Sequence, residues 1–367
     1  MKKIYFTCGP TQLYSTVQKH LDEALIHDIP SISHRGAQFQ EIFQKTVENL
    51  KRLLAIPKQH HIFFLSSSLE SMERIIENCV ETNSFHFVDG SFSRKFYQMA
   101  IEVKRKPEKV EVREGEGFDL RSIRMPKKTE LIAITHNETS TGVSIPLQDI
   151  ETLRKIYPKV LIAVDIVSSA PYVNLDFSQV DIAFFSVQKG FGLPAGMGVL
   201  IANERAMEKA RFLKKKGVNI GSYHSFSSLL EKAENYQTPE TPNVLGMYLL
   251  QKVTNDMLIY RSSSRAKSRD LVGIDAIRAE TDKKAKLIYN FFDRHPQYKP
   301  FVKDNRFRSK TTIAIDVKGD TKKILAKLEK KGLVVSSGYG KFKEDHIRIA
   351  NFPAHETNNI KHLLSEI

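Results

Sequence analysis

Short apolar runs, each closing on a polar or small residue, recur along the first two thirds of the chain. HIFFL (61–65), FHFV (85–88), LIAIT (131–135), VLIAVD (160–165), IAFFSV (182–187) and GVLIA (198–202) are of this kind. Strands buried on both faces read as continuous apolar runs rather than as alternation. Between several of them lie stretches with helical spacing: ESMERIIENCVE, RKFYQMAIEVKR and LQDIETLRKIY. Strands separated by helical crossovers predict a mostly parallel sheet with helices on both faces, an α/β fold of three α/β/α layers.

Past about residue 255 the pattern changes. A long polar helix is expected from DMLIYRSSSRAKSRDL onward. TTIAIDV, the helical TKKILAKLEKKG, LVVSSG and HIRIANF follow it. Strand, helix, strand, strand predicts a smaller C-terminal α+β domain. The expected division is residues 15–255 for a large domain and 1–14 plus 256–367 for a small one.

Two strand exits carry charges that change the picture. Asp165 closes VLIAVD, and Lys189 follows IAFFSVQ and precedes the turn GFGLPAG. Ligands of open α/β sheets bind at such exits. A buried lysine loses basicity and becomes a usable nucleophile and base. A carboxylate for a pyridine nitrogen and a lysine for an aldehyde are what pyridoxal phosphate requires. The turn is not a dinucleotide loop: that fingerprint must open a helix, whereas Pro194 interrupts this one and GVLIA behind it reads as a strand.

Other exits offer supporting groups. HNETSTG (136–142) brings Asn137 and Thr139, suited to a ring hydroxyl or a phosphate. SSSLES (66–71) opens a helix, a natural phosphate seat, although serine there also serves as a plain N-cap. Phe92, in VDGSFSRKF, is placed to stack on a flat ligand. Arg348 alternates with apolar residues in HIRIANF, and its fork suits a carboxylate. His34 and Arg35 precede a helix and suit a phosphate or a second carboxylate. No zinc spacing and no GxSxG elbow is present.

Composition narrows the partners. The net charge is +14, from 56 Lys and Arg against 42 Asp and Glu. Aromatics are not interleaved with the basic residues, so solvated helix faces and anionic small substrates are favoured over nucleic acid. No apolar stretch is long enough to span a bilayer. The apolar part of MKKIYFTCGPTQLY is too short for a signal peptide. Two cysteines, Cys8 and Cys79, imply no disulfide framework and fit the cytoplasm.

In order and spacing, CGPTQL, SHRG, SSSLES, DGSF, HNETSTG, DIVSS, SVQKGFGLPAG, QTPETPN and HIRIANF resemble the class V aminotransferases, above all their phosphoserine aminotransferase branch. The resemblance covers nearly the whole chain. It implies the aspartate-aminotransferase-like fold of pyridoxal-phosphate enzymes and a homodimer with shared active sites. By that resemblance Lys189 would carry the cofactor as a Schiff base and shuttle the proton. Asp165 would pair with the pyridine nitrogen, and Phe92 would stack on the ring in place of the family's usual tryptophan. Ser67, Ser68, Leu69, Thr139, Ser168 and Gln188 would bind the cofactor. Thr238 would reach the cofactor phosphate from the partner subunit. Arg348 would hold the substrate α-carboxylate, and His34 and Arg35 of the partner would receive a substrate phosphate.

The chain departs from that branch in two places. Its phosphate turn is serine-rich where glycines and an arginine are usual. GYGKFKEDH replaces a His-Arg pair, leaving Lys341 or Lys343 as substitutes. The expected activity is exchange of an amino group between phosphoserine and 2-oxoglutarate, with small anionic amino and keto acids as the partners. Alanine–glyoxylate or serine–pyruvate exchange is the competing reading, and a non-catalytic basic binding protein is the reading from another class.

Overall fold

The computed structural model describes residues 3–120, 122–261 and 271–367. Each apolar run forms a strand of one seven-stranded sheet. Across it the order is His61–Leu65, Gly198–Ala202, Ile182–Ser186, Leu161–Asp165, Leu131–Thr135, Ser84–Val88 and Glu108–Glu111. Gly198–Ala202 runs antiparallel to both its neighbours, and every other pairing is parallel. The edge strand Glu108–Glu111 lay outside the expected set because EKVE is polar and largely exposed.

Both faces of this sheet are covered, which explains the unbroken apolar runs. Along Leu161–Asp165, Leu161 and Ala163 belong to one apolar cluster while Ile162 and Val164 belong to the other. The first cluster is completed by the helices Ser68–Cys79, Ser91–Glu102, Glu204–Lys215 and Phe226–Ala233. The second takes Ala37–Leu54, Leu147–Ile156 and Val244–Ile259. Side chains alternate between the faces of a strand, so a run with two buried faces must be apolar at every position. The three-layer α/β/α expectation is what the chain adopts.

A second sheet has five strands, in the order Ile4–Phe6, Leu333–Ser337, His346–Ala350, Thr312–Asp316 and Lys299–Pro300. Ile4–Phe6 pairs parallel with Leu333–Ser337, so the start of the chain joins the sheet built by its end. The helices Ile274–Arg294, Thr321–Lys330 and Thr357–Ser365 pack on this sheet over a third cluster, with Ile288, Phe292, Leu328 and Leu363 at its centre.

One expectation fails. The long polar helix from Asp256 onward is not continuous: one helix ends at Ile259 and the next begins at Ile274. Gly273 sits between them at φ +65, its amide donating to the Tyr260 carbonyl at 2.8 Å. A Cβ there would lie 2.8 Å from the Leu258 carbonyl oxygen. The first helix ends where Tyr260 turns extended, at φ -56 and ψ 137, and Gly273 stands before the second as its N-cap; a polar helical pattern reveals neither. Residues 262–270 of that expectation lie outside the described residues. Among the described residues no helix is long and apolar enough to cross a membrane.

Phe184 has no exposed surface and packs edge-on against Phe96, centroids 5.7 Å apart. Phe184→Ala is expected to lower the unfolding free energy by about 3–5 kcal/mol. The measurement is the urea midpoint at unchanged slope.

Candidate active site

The strand ends decide where the chemistry collects. Asp165 is the last residue of its strand, and Lys189 follows the strand Ile182–Ser186 by three residues. Thr139 lies in the turn between the short paired segments Asn137–Glu138 and Val143–Ser144, just after Leu131–Thr135. Phe92 and Ser68 stand in the first turns of helices that follow two further parallel strands. The second sheet contributes Arg348, Ser336 and Tyr339, and the segment after Ile4–Phe6 contributes Cys8 and Gly9. Together they line a cavity of ≈260 Å³.

Lys189 is buried, and its Nζ donates to Thr139 Oγ1 at 2.9 Å. Burial pulls its pKa from 10.5 down to about 8, with the Asp165 carboxyl opposing the shift. Its alkyl chain is gripped from one side: a Cβ on Gly9, which holds φ +122, would sit 3.0 Å from both Cγ and Cε of Lys189. The turn after the lysine is equally close-packed. A Cβ on Gly190 would lie 1.9 Å from the Ala170 carbonyl oxygen. Glycine is therefore the residue that lets Lys189 reach the cavity at this point.

Asp165 is buried, and burial raises its pKa from 3.8 to about 7. One carboxylate oxygen accepts the Val167 amide at 2.8 Å, which opposes that rise together with the Lys189 charge. Two buried titratable groups with mutually opposed shifts in one cavity are the mark of a reactive site.

The helix Ser68–Cys79 points its N-terminus at the cavity. Ser67 caps it, accepting the Glu70 amide at 3.2 Å, and the Ser68 amide donates to Ser186 Oγ at 3.0 Å. The Leu69 amide has no intrahelical partner at that position, so an anion is favoured there. Gly198 allows this approach, since a Cβ on it would lie 2.5 Å from the Ser67 carbonyl. Gln188 lines the same cavity, and its Oε1 is buried with no hydrogen bond among the described residues.

Phe92 is fixed by Glu138, whose buried carboxylate accepts the Phe92 amide at 3.0 Å and the Ser93 amide at 2.9 Å. The Phe92 ring lies 5.2 Å from Lys189 Nζ and 5.2 Å from the Tyr339 ring, centroid to centroid. Arg348 lies over the far side of that wall, its guanidinium carbon 5.4 Å from the Tyr339 centroid. Its Nε donates to the Ser337 carbonyl and its Nη1 to the Thr139 carbonyl, each at 3.0 Å. Nη2 has no partner among the described residues, which leaves a charged edge for an acid.

This constellation has close relatives. The family model of class-V aminotransferases matches residues 4–342. The chain belongs to the class V aminotransferases. A solved phosphoserine aminotransferase from Cytophaga hutchinsonii shares 45% identity and a TM-score of 0.94, covering 99% of this chain and 98% of that one. The phosphoserine aminotransferase of Rhodococcus opacus is 24% identical over 99% of this chain and 93% of its own length. An alanine–glyoxylate aminotransferase from Nostoc sp. shares the fold at TM-score 0.83 and 18% identity, covering 100% of this chain and 94% of that one.

For a class V aminotransferase, the placement of the expected residues divides cleanly. Lys189, Asp165, Ser67, Ser68, Leu69, Phe92, Thr139, Gln188 and Arg348 all line the one cavity. Ser168 does not. It is buried behind the wall, accepting from Asn137 Nδ2 and donating to the Asn137 carbonyl, both at 2.7 Å. His34, Arg35 and Thr238 form a separate group. Arg35 donates to the Thr238 carbonyl at 2.8 Å and to Gln237 Oε1 at 2.9 Å. Lys341 is paired with Glu114 at 2.9 Å, and neither it nor Lys343 is among the cavity's lining residues.

Sequence reasoning passed over Gly9, Ser336, Tyr339 and Glu138. The serine pair closing LVVSSG was the available signal for Ser336. Nothing local marks Glu138, whose role rests on helix amides 45 and 46 residues away.

The Asp165 shift has a consequence for the cofactor-free protein. Folded, its carboxyl keeps a proton up to about pH 7; unfolded, only up to about pH 3.8. The folded state therefore binds more protons in that window, and this group makes stability fall as pH rises through it. Asp165→Asn is expected to remove that slope. Urea unfolding at several pH values should show wild-type stability relative to the variant falling between about pH 4 and pH 7. A constant difference would contradict the assignment.

Proposed function

We propose that this class V aminotransferase uses pyridoxal 5'-phosphate and exchanges an amino group between phosphoserine and 2-oxoglutarate. The burial of Lys189 and Asp165 in one cavity, with Arg348 at its wall, carries the reading. The residues fit the cofactor: an acid opposite a lysine, a helix N-terminus for a phosphate, an aromatic face, and an orphaned Gln188 oxygen. When bound, pyridoxal phosphate supplies a ring that withdraws electrons from the substrate α-carbon.

The chain's own residues do the rest. Asp165, held out of water, would pair with the pyridine nitrogen and would ionise fully with a positive charge beside it. The Leu69 amide and Ser67 and Ser68 would hold the phosphate, and Gln188 and Thr139 would anchor the polar edge of the ring. Lys189 would serve as the base at the substrate α-carbon and hold the proton it removes, since its lowered pKa of about 8 keeps a share of the amine neutral. Arg348 fixes the α-carboxylate through its open edge. Phe92 and Tyr339 exclude water from the face of the ring.

His34, Arg35 and Thr238 would act in the active site of a partner subunit. Their clustering away from the Lys189 cavity of their own chain supports a homodimer with shared sites. We also take residues 15–255 and 1–14 plus 256–367 as the two domains, a division supported by a separate sheet and apolar cluster on each side. The enzyme is placed in the cytoplasm, in keeping with two buried, unpaired cysteines.

The phosphoserine assignment rests on the 45% identity to the Cytophaga enzyme and on the +14 charge, which steers anions. One observation favours the alanine–glyoxylate or serine–pyruvate reading: among the described residues, Lys189 and Arg348 are the only cationic side chains that line the cavity. Steady-state rates with phosphoserine, alanine and serine as donors separate the two. Arg35→Ala is expected to impair phosphoserine turnover selectively. Arg348→Ala should lower kcat/KM for every donor, on the order of a hundredfold or more. Intact phosphoserine turnover in Arg35→Ala would remove the phosphate assignment. Holoenzyme lacking a visible absorbance band that shifts on adding amino acid would remove the cofactor assignment.

A further inference from the structure

A second cavity, of ≈390 Å³, lies on the other side of the Asn137–Ser144 hairpin from Lys189. The seven-stranded side contributes His136, Ser144 and Tyr172. The other wall carries Arg278 from the helix Ile274–Arg294, and Arg306, Arg308 and Lys310 from the segment before Thr312–Asp316. Among the described residues four cations thus face one space, against a single acid in the wall, Asp282, which accepts the Tyr172 hydroxyl at 2.7 Å.

The pairing of these cations is uneven. Arg306 holds Asp149 at 2.7 and 2.8 Å, and Arg308 holds Asp293 through two bonds of 2.9 Å. Neither aspartate lines the cavity. Arg278 spends Nε and Nη2 on the carbonyls of Tyr172 and Val173, and reaches the largely exposed Asp275 only at 3.4 Å. Lys310 has no partner for its ammonium among the described residues. His136, 6% exposed, bonds Ser169 through Nδ1 and has no partner for Nε2 among the described residues. Burial lowers its pKa to about 4, so it is a neutral hydrogen-bonding group here rather than a further charge.

We propose that this cavity is a binding site for a small oxyanion, a phosphate or a carboxylate, distinct from the catalytic one. Lys310 and Arg278 supply the charge, and His136 supplies a buried polar contact. The site shares a structural member with the active site. The Ser309 amide donates to the Gly142 carbonyl at 3.0 Å, and Arg308 bridges to Val143. At the other end of that hairpin, Thr139 holds both Lys189 and Arg348.

The test is the melting temperature of holoenzyme titrated with inorganic phosphate and, in a second arm, with succinate. Wild type, Lys310→Met and Arg348→Ala are compared; Lys310 is exposed, so its replacement leaves the core intact. A ligand of the folded state raises the melting temperature with the logarithm of its concentration. Stabilisation is expected in wild type and in Arg348→Ala, with the ligand concentration needed rising at least about tenfold in Lys310→Met. The arm that responds names the oxyanion. Stabilisation unchanged in Lys310→Met, lost in Arg348→Ala, or absent from wild type in both arms would overturn the proposal.

Discussion

An ammonium and a carboxyl kept out of water in the same small space are the constraint from which the rest of the architecture follows. Each group alone pays heavily for leaving solvent. Placed together they offset part of that penalty, and both retain pKa values close to neutrality. The surroundings enforce this arrangement through close contact rather than through many bonds. The Lys189 ammonium donates to Thr139, and the side chain is confined by Gly9 and by a turn that tolerates no Cβ at Gly190.

The cavity belongs to two sheets at once. The seven-stranded sheet brings Lys189, Asp165 and Thr139 to its carboxyl edge, where parallel strands converge on a ligand. The five-stranded sheet supplies Arg348 and the Tyr339 ring. One joint between them is the bond from the Arg348 guanidinium to the Thr139 carbonyl, made by residues 209 positions apart. Thr139 thus holds the lysine with its side chain and the arginine with its backbone. That same hairpin contributes Ser144 to the wall of the second, cationic cavity.

Charge is distributed in a way that composition alone does not convey. The net charge is +14, yet among the described residues only two cations line the Lys189 cavity. Arg35 is the natural third cation for a substrate with a second anionic group. Within its own chain it secures the 237–239 loop through Gln237, Thr238 and Pro239. That contact fixes Arg35 and Thr238 as one unit, so whatever receives one of them receives the other.

Much of the site was legible locally. Lys189 and Asp165 stood out because a strand buried on both faces is apolar throughout, and a charge at its end can only mark an exit. Arg348 was visible by its alternation with apolar residues, and Ser67 by the capping pattern ahead of a helical repeat. Ser168, a cofactor contact only by resemblance, turns its side chain to Asn137. The helix end at Ile259 was hidden because periodicity does not register the extended backbone of the single residue Tyr260. Tyr339, Gly9 and Glu138 carry no local signature at all. The hydrophobic pattern is a property of neighbours along the chain, so it determined the layers, the strand exits and the reactive pair. Closure of the cavity depends on which edge of one sheet meets which edge of the other. That is settled by packing between segments hundreds of residues apart, and only the folded chain decides it.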